Sequence, residues 1–468
     1  MTTFLDLCRV AVGAPHVLDT DADMRAFLTD WRGRFHGSAQ AVIRPGSTQE
    51  VVQIVRLCQE FKVPVVPQGG NTGLVAGAVP DCTGGSIVLV LTRLNKIRNI
   101  DVVNNTMTIE AGCILQTVQE AAAAALRLFP LSLAAEGSCT IGGNLATNAG
   151  GTAVLRYGNM RELCLGLEVV TAQGEVWSSL RGLRKDNTGY DLRDLLIGSE
   201  GTLGIITAAV IKLFPQPKAR VTALAAMASP QAALQLLTLA QTACGSTLTG
   251  FELMSDVCLQ LVAKHFPHMM PAIPQNHRQY VLVELSDDES EQHANDLMEK
   301  LFNQAMEQGV VDDAVLATSI AQSEQLWNLR EHIPLAQAKE GRNLKHDISL
   351  PISQIAAFIE ATDALMAAHY PGATIVNFGH LGDGNLHYNV APPIDLGAAE
   401  LSNWERQVNR LIYDSVDNFN GSFSAEHGVG TLRREEVRHY KSPVEIRLME
   451  AIKMALDPDN LMNPGKVL

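Results

Sequence analysis

Two histidines, His380 and His387, bracket the octapeptide His380-Leu381-Gly382-Asp383-Gly384-Asn385-Leu386-His387, and Glu426-His427-Gly428 follows further along the chain. Imidazole and carboxylate together bind divalent first-row ions, and a His/His/carboxylate set leaves coordination positions open for a substrate. These residues are therefore read as a catalytic metal site with His380, His387 and Glu426 as ligands.

Such a site needs a scaffold that brings the histidines together. Residues 374–379 (TIVNFG) read as a strand, Gly382 to Asn385 as a Gly/Asp/Asn turn, and 386–390 (LHYNV) as the returning strand. That hairpin is expected to set Leu381 opposite Leu386 and His380 opposite His387. Opposed side chains have Cβ atoms about 5 Å apart, close enough for two imidazoles to share one ion at roughly 2.0–2.1 Å per bond. The plain alternative is a polar hairpin whose histidines bond only to backbone; Glu426-His427-Gly428 downstream weighs against it.

Three glycine-rich stretches occupy the first half: 67–77 (PQGGNTGLVAG), 136–151 (EGSCTIGGNLATNAGG) and 196–207 (LIGSEGTLGIIT). Missing β-carbons let backbone N–H groups approach a phosphate. None is a Rossmann fingerprint or a P-loop, since the Gly-x-Gly-x-x-Gly spacing and a following Lys-Ser/Thr are absent. A single loop of this kind reads as a tight turn; three suit an extended dinucleotide. Around them, Ser47 caps an amphipathic helix over 47–61 with Glu50 at capping-box spacing. Val63–Val66, Ile87–Leu91, Met107–Glu110 and Glu168–Thr171 are strand candidates. The pattern is α+β rather than a regular β-α-β alternation. Glycine thins out after Phe214-Pro215-Gln216-Pro217, where helical text begins with Ser229 as N-cap and Pro230 at the first helical position; residues 284–308 are also read as helix. The last segment ends in a helix closed by Asp457-Pro458.

A chain of 468 residues exceeds one ordinary core. Hydrophobic content of 46% against 18% charged residues marks it as globular, and no apolar run reaches the roughly 18 residues of a spanning helix. The formal charge of −14 argues against a nucleic-acid surface and requires locally placed basic residues for an anionic substrate. The N-terminal MTTFLDLCRV carries neither a secretory nor a mitochondrial signature, so a cytoplasmic location is expected. Eight cysteines without a Cys-x-x-Cys read as free thiols in a reducing compartment.

The loops PQGGNTGL, CTIGGNLATNAGG and GSEGTLGIIT resemble the flavin-binding domain of the vanillyl-alcohol oxidase and p-cresol methylhydroxylase superfamily. HLGDGNLHYNV, SAEHGVG and the closing LMNPGKVL resemble its D-2-hydroxyacid dehydrogenase branch, of the D-2-hydroxyglutarate dehydrogenase kind. The resemblance runs from about residue 38 onward. It implies an N-terminal helical segment (1–37), a two-subdomain FAD-binding domain (38–217), an α+β substrate-cap domain (218–420) and a C-terminal segment (421–468) returning to the flavin. By position it places Pro67, Gln68, Gly69, Gly70, Asn71, Thr72, Gly73 and Leu74 around the FAD pyrophosphate. Ser138, Thr140, Gly142, Gly143, Asn144, Ala146, Glu200, Gly204 and Ile206 are placed along the same cofactor, and Asn463 near its ring. Some relatives tether the flavin through a histidine of the first loop; no histidine stands there, so the FAD is expected to be non-covalent.

The resemblance makes His380, His387 and Glu426 ligands for Zn²⁺, a donor set that also accepts Mn²⁺ or Fe²⁺. An ion chelated by the hydroxyl and one carboxylate oxygen of a 2-hydroxy acid lowers the alcohol's pKa and holds C2 toward flavin N5. His427 is then the general base for the hydroxyl proton, or a residue that only orients Glu426. Arg330 and Lys345 match positions that bind substrate carboxylate, whereas Lys339 and Arg342 read as a solvated helix face. A hydroxyl side chain is expected four residues after the arginine; Pro334 stands there instead, leaving the far end of the substrate unassigned. Asn389, on the strand face of His387, contacts substrate or satisfies the hairpin edge. The expected reaction is oxidation of a D-2-hydroxy acid, D-2-hydroxyglutarate or a related diacid favoured, with glycolate or D-lactate as the alternative and a metal-dependent hydrolase as the reading from another class. The expected electron acceptor is electron-transfer flavoprotein or a quinone, and the expected assembly a homodimer.

Overall fold

The computed structural model describes residues 3–270, 276–393 and 396–468, which fall into two compact units. The first comprises residues 1–150, 158–216 and 426–468; the second comprises 151–157 and 217–425.

In the first unit a four-stranded sheet runs in the order Val17–Leu18, Ala41–Ile43, Ile87–Val90, Val65–Gln68, the last three parallel. The helix Thr48–Phe61 connects Ala41–Ile43 to Val65–Gln68. Ser47 caps it by accepting from the Glu50 N–H, while the Glu50 carboxylate bonds Gly46 N–H rather than that of Ser47. Its apolar face, Val51, Val52, Ile54, Val55 and Cys58, packs with Ile43, Val65, Ile87 and Leu89 in one core. A five-stranded antiparallel sheet follows, in the order Ile97–Asp101, Thr106–Glu110, Ile205–Lys212, Cys164–Val170, Val176–Ser178. The C-terminal segment adds a bridge to the first sheet, with Val65 N–H on Leu461 O and Asn463 N–H on Val65 O, each at 2.8 Å.

The second unit is built on a seven-stranded antiparallel sheet ordered Asp313–Leu316, Ala219–Met227, Gln279–Asp287, Leu248–Ser255, Thr374–His380, Asn385–Ala391, Asp347–Ser349. Leu224, Leu282, Met254 and Phe378 from its strands form one core with Cys258, Val262, Leu326, Leu329 and Ile333 from helices. The helical reading of 284–290 is corrected: Glu284 to Asp287 complete a strand, Glu284 and Leu285 paired on both sides and Ser286 and Asp287 with Ala219–Met227, and the helix starts at Glu291 behind its cap Ser290. A two-sided ladder satisfies backbone groups that helical text alone does not weigh. No helix among the described residues is long and apolar enough to cross a membrane.

Candidate active site

The hairpin forms from Thr374–His380 and Asn385–Ala391, but its register differs from the expected one. Phe378, not His380, opposes His387, and Asn377 opposes Tyr388. Leu381 to Gly384 form the turn, with the N–H groups of Asp383 and Gly384 both on His380 O. Gly379 is needed where the strands converge, since a β-carbon there would meet Asn385 O at 2.5 Å. A shift of two residues preserves side-chain facing, so the imidazoles meet diagonally, ring centres 5.7 Å apart.

On its other edge His380 opposes Glu252 of the neighbouring strand. Its Nδ1 bonds Glu252 Oε1 at 2.6 Å, while Arg330 Nε donates to Glu252 Oε2 at 2.9 Å. Glu252 is wholly buried, and burial alone would raise its pKa; His380 and then Arg330 overcome this and bring it down to about 2. His387 Nδ1 lies 3.7 Å from Asp347 Oδ1, and that buried carboxylate also accepts from Asn385 Nδ2 at 3.0 Å. The His380 ring thus bonds a carboxylate through Nδ1, the outer-shell arrangement that orients a metal-binding histidine through Nε2. Glu426 is one peptide bond beyond Ala425, whose N–H is held by Asp347 O. His380, His387 and Glu426 each offer a ligand atom, and these atoms lie within 4.8 Å of one another. The set fits a divalent ion in donor type and spacing.

Arg330 is buried, its guanidinium 4.6 Å above the Phe378 ring. Lys345 is half-buried beside His346, which is pinned by Tyr388 O and Asn409 Oδ1. Asn389 is buried and donates from Nδ2 to Gln337 Oε1 at 2.9 Å. Pro334 lies in the first turn of the helix Ile333–Glu340, where its missing N–H costs nothing. Arg342 is exposed and forks onto Glu405 at 2.6 and 2.8 Å, and Lys339 sits 3.9 Å over the Phe266 ring.

In the first unit the glycine-rich stretches converge on one cavity. Pro67 to Gly73, Thr140, Gly142, Gly143, Asn144, Ala146, Glu200, Gly204 and Ile206 line it, as does His427. Two of the glycines permit close backbone packing: a β-carbon on Gly70 would lie 2.0 Å from Ser138 O, and one on Gly142 would lie 2.7 Å from the Ala111 β-carbon. Leu74, Ser138 and Asn463, expected around the cofactor, are not among the lining residues. Ser138 presents its carbonyl to the back of the Gly70 turn, and buried Asn463 ties two wall residues together by donating to Gly77 O and Glu200 O. Glu200 turns its carboxylate to the Val429 and Gly430 N–H groups at 2.7 and 2.8 Å; burial still pushes its pKa up against those bonds. The residue reading missed Val75, Leu91, Ala111 and Ile205 of the wall, which carry no signal beyond being apolar. It also missed Glu252, a lone acid in an apolar strand, where an inward-facing charge was the available clue.

The family model for the FAD binding domain matches residues 39–179, and that for the C-terminal domain of FAD linked oxidases matches 216–467. The chain is 40% identical over 457 residues to a D-2-hydroxyglutarate dehydrogenase of Xanthomonas citri pv. viticola, covering 98% of this chain and 95% of that protein. It is 37% identical over 460 residues to the mitochondrial D-2-hydroxyglutarate dehydrogenase of Arabidopsis thaliana, covering 98% and 80%. Among solved structures, p-cresol methylhydroxylase with substrate bound matches with a TM-score of 0.78 at 17% identity over 99% of this chain and 96% of that one. Alkyldihydroxyacetonephosphate synthase matches with a TM-score of 0.74 at 16% identity over 98% and 84%. The structural likenesses show the fold, that of the p-cresol methylhydroxylase type.

Proposed function

The chain belongs to the D-2-hydroxyglutarate dehydrogenase family of FAD-linked oxidases, and on that premise we propose that it oxidises a D-2-hydroxy acid to the 2-oxo acid with the help of a divalent ion, Zn²⁺ before Mn²⁺ or Fe²⁺. D-2-hydroxyglutarate or a related diacid is the favoured substrate; glycolate and D-lactate are the alternatives. Non-covalent FAD held by the glycine-walled cavity would supply a hydride acceptor for C2, and a divalent ion would supply a Lewis acid for the hydroxyl and carboxylate. His380, His387 and Glu426 would hold that ion, with Glu252 fixing the His380 ring. Arg330, whose Nε is committed to Glu252, keeps its terminal nitrogens for a substrate carboxylate, and Lys345 adds a second cation. A ring nitrogen of His427 takes the hydroxyl proton. A hydrolase would have no use for a flavin cavity, and family membership sets that reading aside. The acceptor for the electrons would be electron-transfer flavoprotein or a quinone.

The observation that carries this reading is the step from Glu426 to His427: the first completes the ligand set, and the second lines the cofactor cavity. Purified protein is expected to be yellow and to bleach when D-2-hydroxyglutarate is added without oxygen. Dialysis against a chelator is expected to abolish bleaching while leaving the flavin spectrum in place. Bleaching that survives the chelator removes the metal from the mechanism, and no bleaching by any D-2-hydroxy acid removes the substrate class.

A further inference from the structure

The helix Ile333–Glu340 turns Ile333, Ala336 and Gln337 inward. A primary amide among apolar neighbours is costly unless it is bonded. Gln337, 3% exposed, has one side-chain hydrogen bond: its Oε1 accepts from Nδ2 of Asn389, itself 3% exposed, at 2.9 Å. Among the described residues neither Gln337 Nε2 nor Asn389 Oδ1 has a hydrogen-bond partner, and neither is sealed from solvent. Asn389 lies two residues beyond His387, so the two share a strand face. Gln337 lies one helical turn after Pro334, on the same side of the helix. The side chain at the position where a hydroxyl was expected thus carries no polar atom, and an amide stands one turn further on.

An asparagine amide has a donor end and an acceptor end. With Nδ2 turned to Gln337, the end left for the site is the carbonyl Oδ1. Against a second substrate carboxylate, acceptor would meet acceptor; against a hydroxyl or an uncharged end there is no such conflict. We propose that Gln337 is a positioning residue that sets substrate preference. By fixing the Asn389 amide with Oδ1 toward the site, it weakens the hold on a second carboxylate and admits shorter or hydroxylated D-2-hydroxy acids. The proposal rests on the D-2-hydroxy acid reading above.

Two variants of opposite expected sign test it, assayed as holoenzyme with a dye acceptor on D-2-hydroxyglutarate, D-lactate and D-glycerate. Gln337→Leu releases the Asn389 amide to rotate and offer Nδ2. The ratio of kcat/KM for D-2-hydroxyglutarate to that for D-lactate is expected to rise roughly tenfold, the scale of one hydrogen bond to a charged group, mainly through KM. Gln337→Glu keeps the Asn389 bond but adds negative charge, so the ratio is expected to fall and the D-glycerate rate to persist. A purely structural role would lower kcat for all three acids together and leave the ratios alone. Ratios that stay within twofold, or that move the same way in both variants, overturn the proposal while the wild-type activity stands. Failure of the wild type to oxidise any of the three acids overturns the underlying reading, and the proposal with it.

Discussion

Glu252 offers no surface to water, yet it stays ionised because His380 and Arg330 each bond one of its oxygens. Its first effect is orientation. With Nδ1 engaged, the His380 ring is fixed with Nε2 outward, and a bond of this kind is worth roughly 10–100-fold in metal affinity. Its second effect is neutralisation, since removing one partner of a buried ion pair leaves the other uncompensated at about 3–5 kcal/mol. Glu252→Gln should therefore need 10–100-fold more free metal for half-maximal activity and melt at lower temperature. Metal-buffered activity titrations and thermal denaturation read the two effects separately; an unchanged metal requirement would refute the orienting role. The residues of this site were unequally legible. Histidines beside Gly-Asp-Gly-Asn announce themselves, while Glu252 lies in Phe251-Glu252-Leu253-Met254, where only the sheet reveals its partners.

At the scale of elements, glycine spacing was the most legible feature, because a backbone that must approach another closely is written in residue type. The loop Pro67 to Gly73 shows this: Gly70 backs onto Ser138 O, where a β-carbon would be 2.0 Å away. Gly70→Ala must push the loop off Ser138 and open the cavity wall. The variant is expected to emerge from gel filtration with less than half of its FAD, measured as the ratio of flavin to protein absorbance, whereas Gly245→Ala, in the other unit, with a φ of +54° and no atom within 4 Å of the added carbon, should keep its FAD. Full flavin in Gly70→Ala would mean that the loop does not shape the site. The hairpin register was less legible. Alternation fixes which face a residue takes, and a shift of two leaves that unchanged; the close strand approach at Gly379 distinguishes the registers and needs the partner strand to be seen. The strand at Glu284 to Asp287 was hidden for a related reason, since its ladder to Ala219–Met227, doubled at Glu284 and Leu285, outweighs a charged, helix-like sequence.

For the molecule as a whole, the chain starts the cofactor-binding unit, leaves it, and returns with residues 426–468 to finish it. Chain length showed that more than one core was needed, but a unit assembled from distant segments is a property of pairing that no local pattern carries. Lys466 is one of the ties of the returning segment. It is 5% exposed and donates to Val79 O at 2.8 Å and Thr431 Oγ1 at 2.5 Å. Burial pulls its pKa down to about 8, with Asp81 opposing that shift and Arg434 adding to it. An unfolded lysine titrates near 10.4, so between these values the unfolded chain binds more protons than the folded one and stability rises with pH. The slope from this group is at most about 1.4 kcal/mol per pH unit, and below about pH 8 the cost of burying the charge is constant. Lys466→Met removes the titrating group, so wild type should gain melting temperature relative to the variant as pH rises from about 8 to 10. Parallel melts at each pH measure this difference. A wild-type-minus-variant difference that stays flat, or that falls as pH rises, would show that burial does not lower the pKa of this amine in the folded protein.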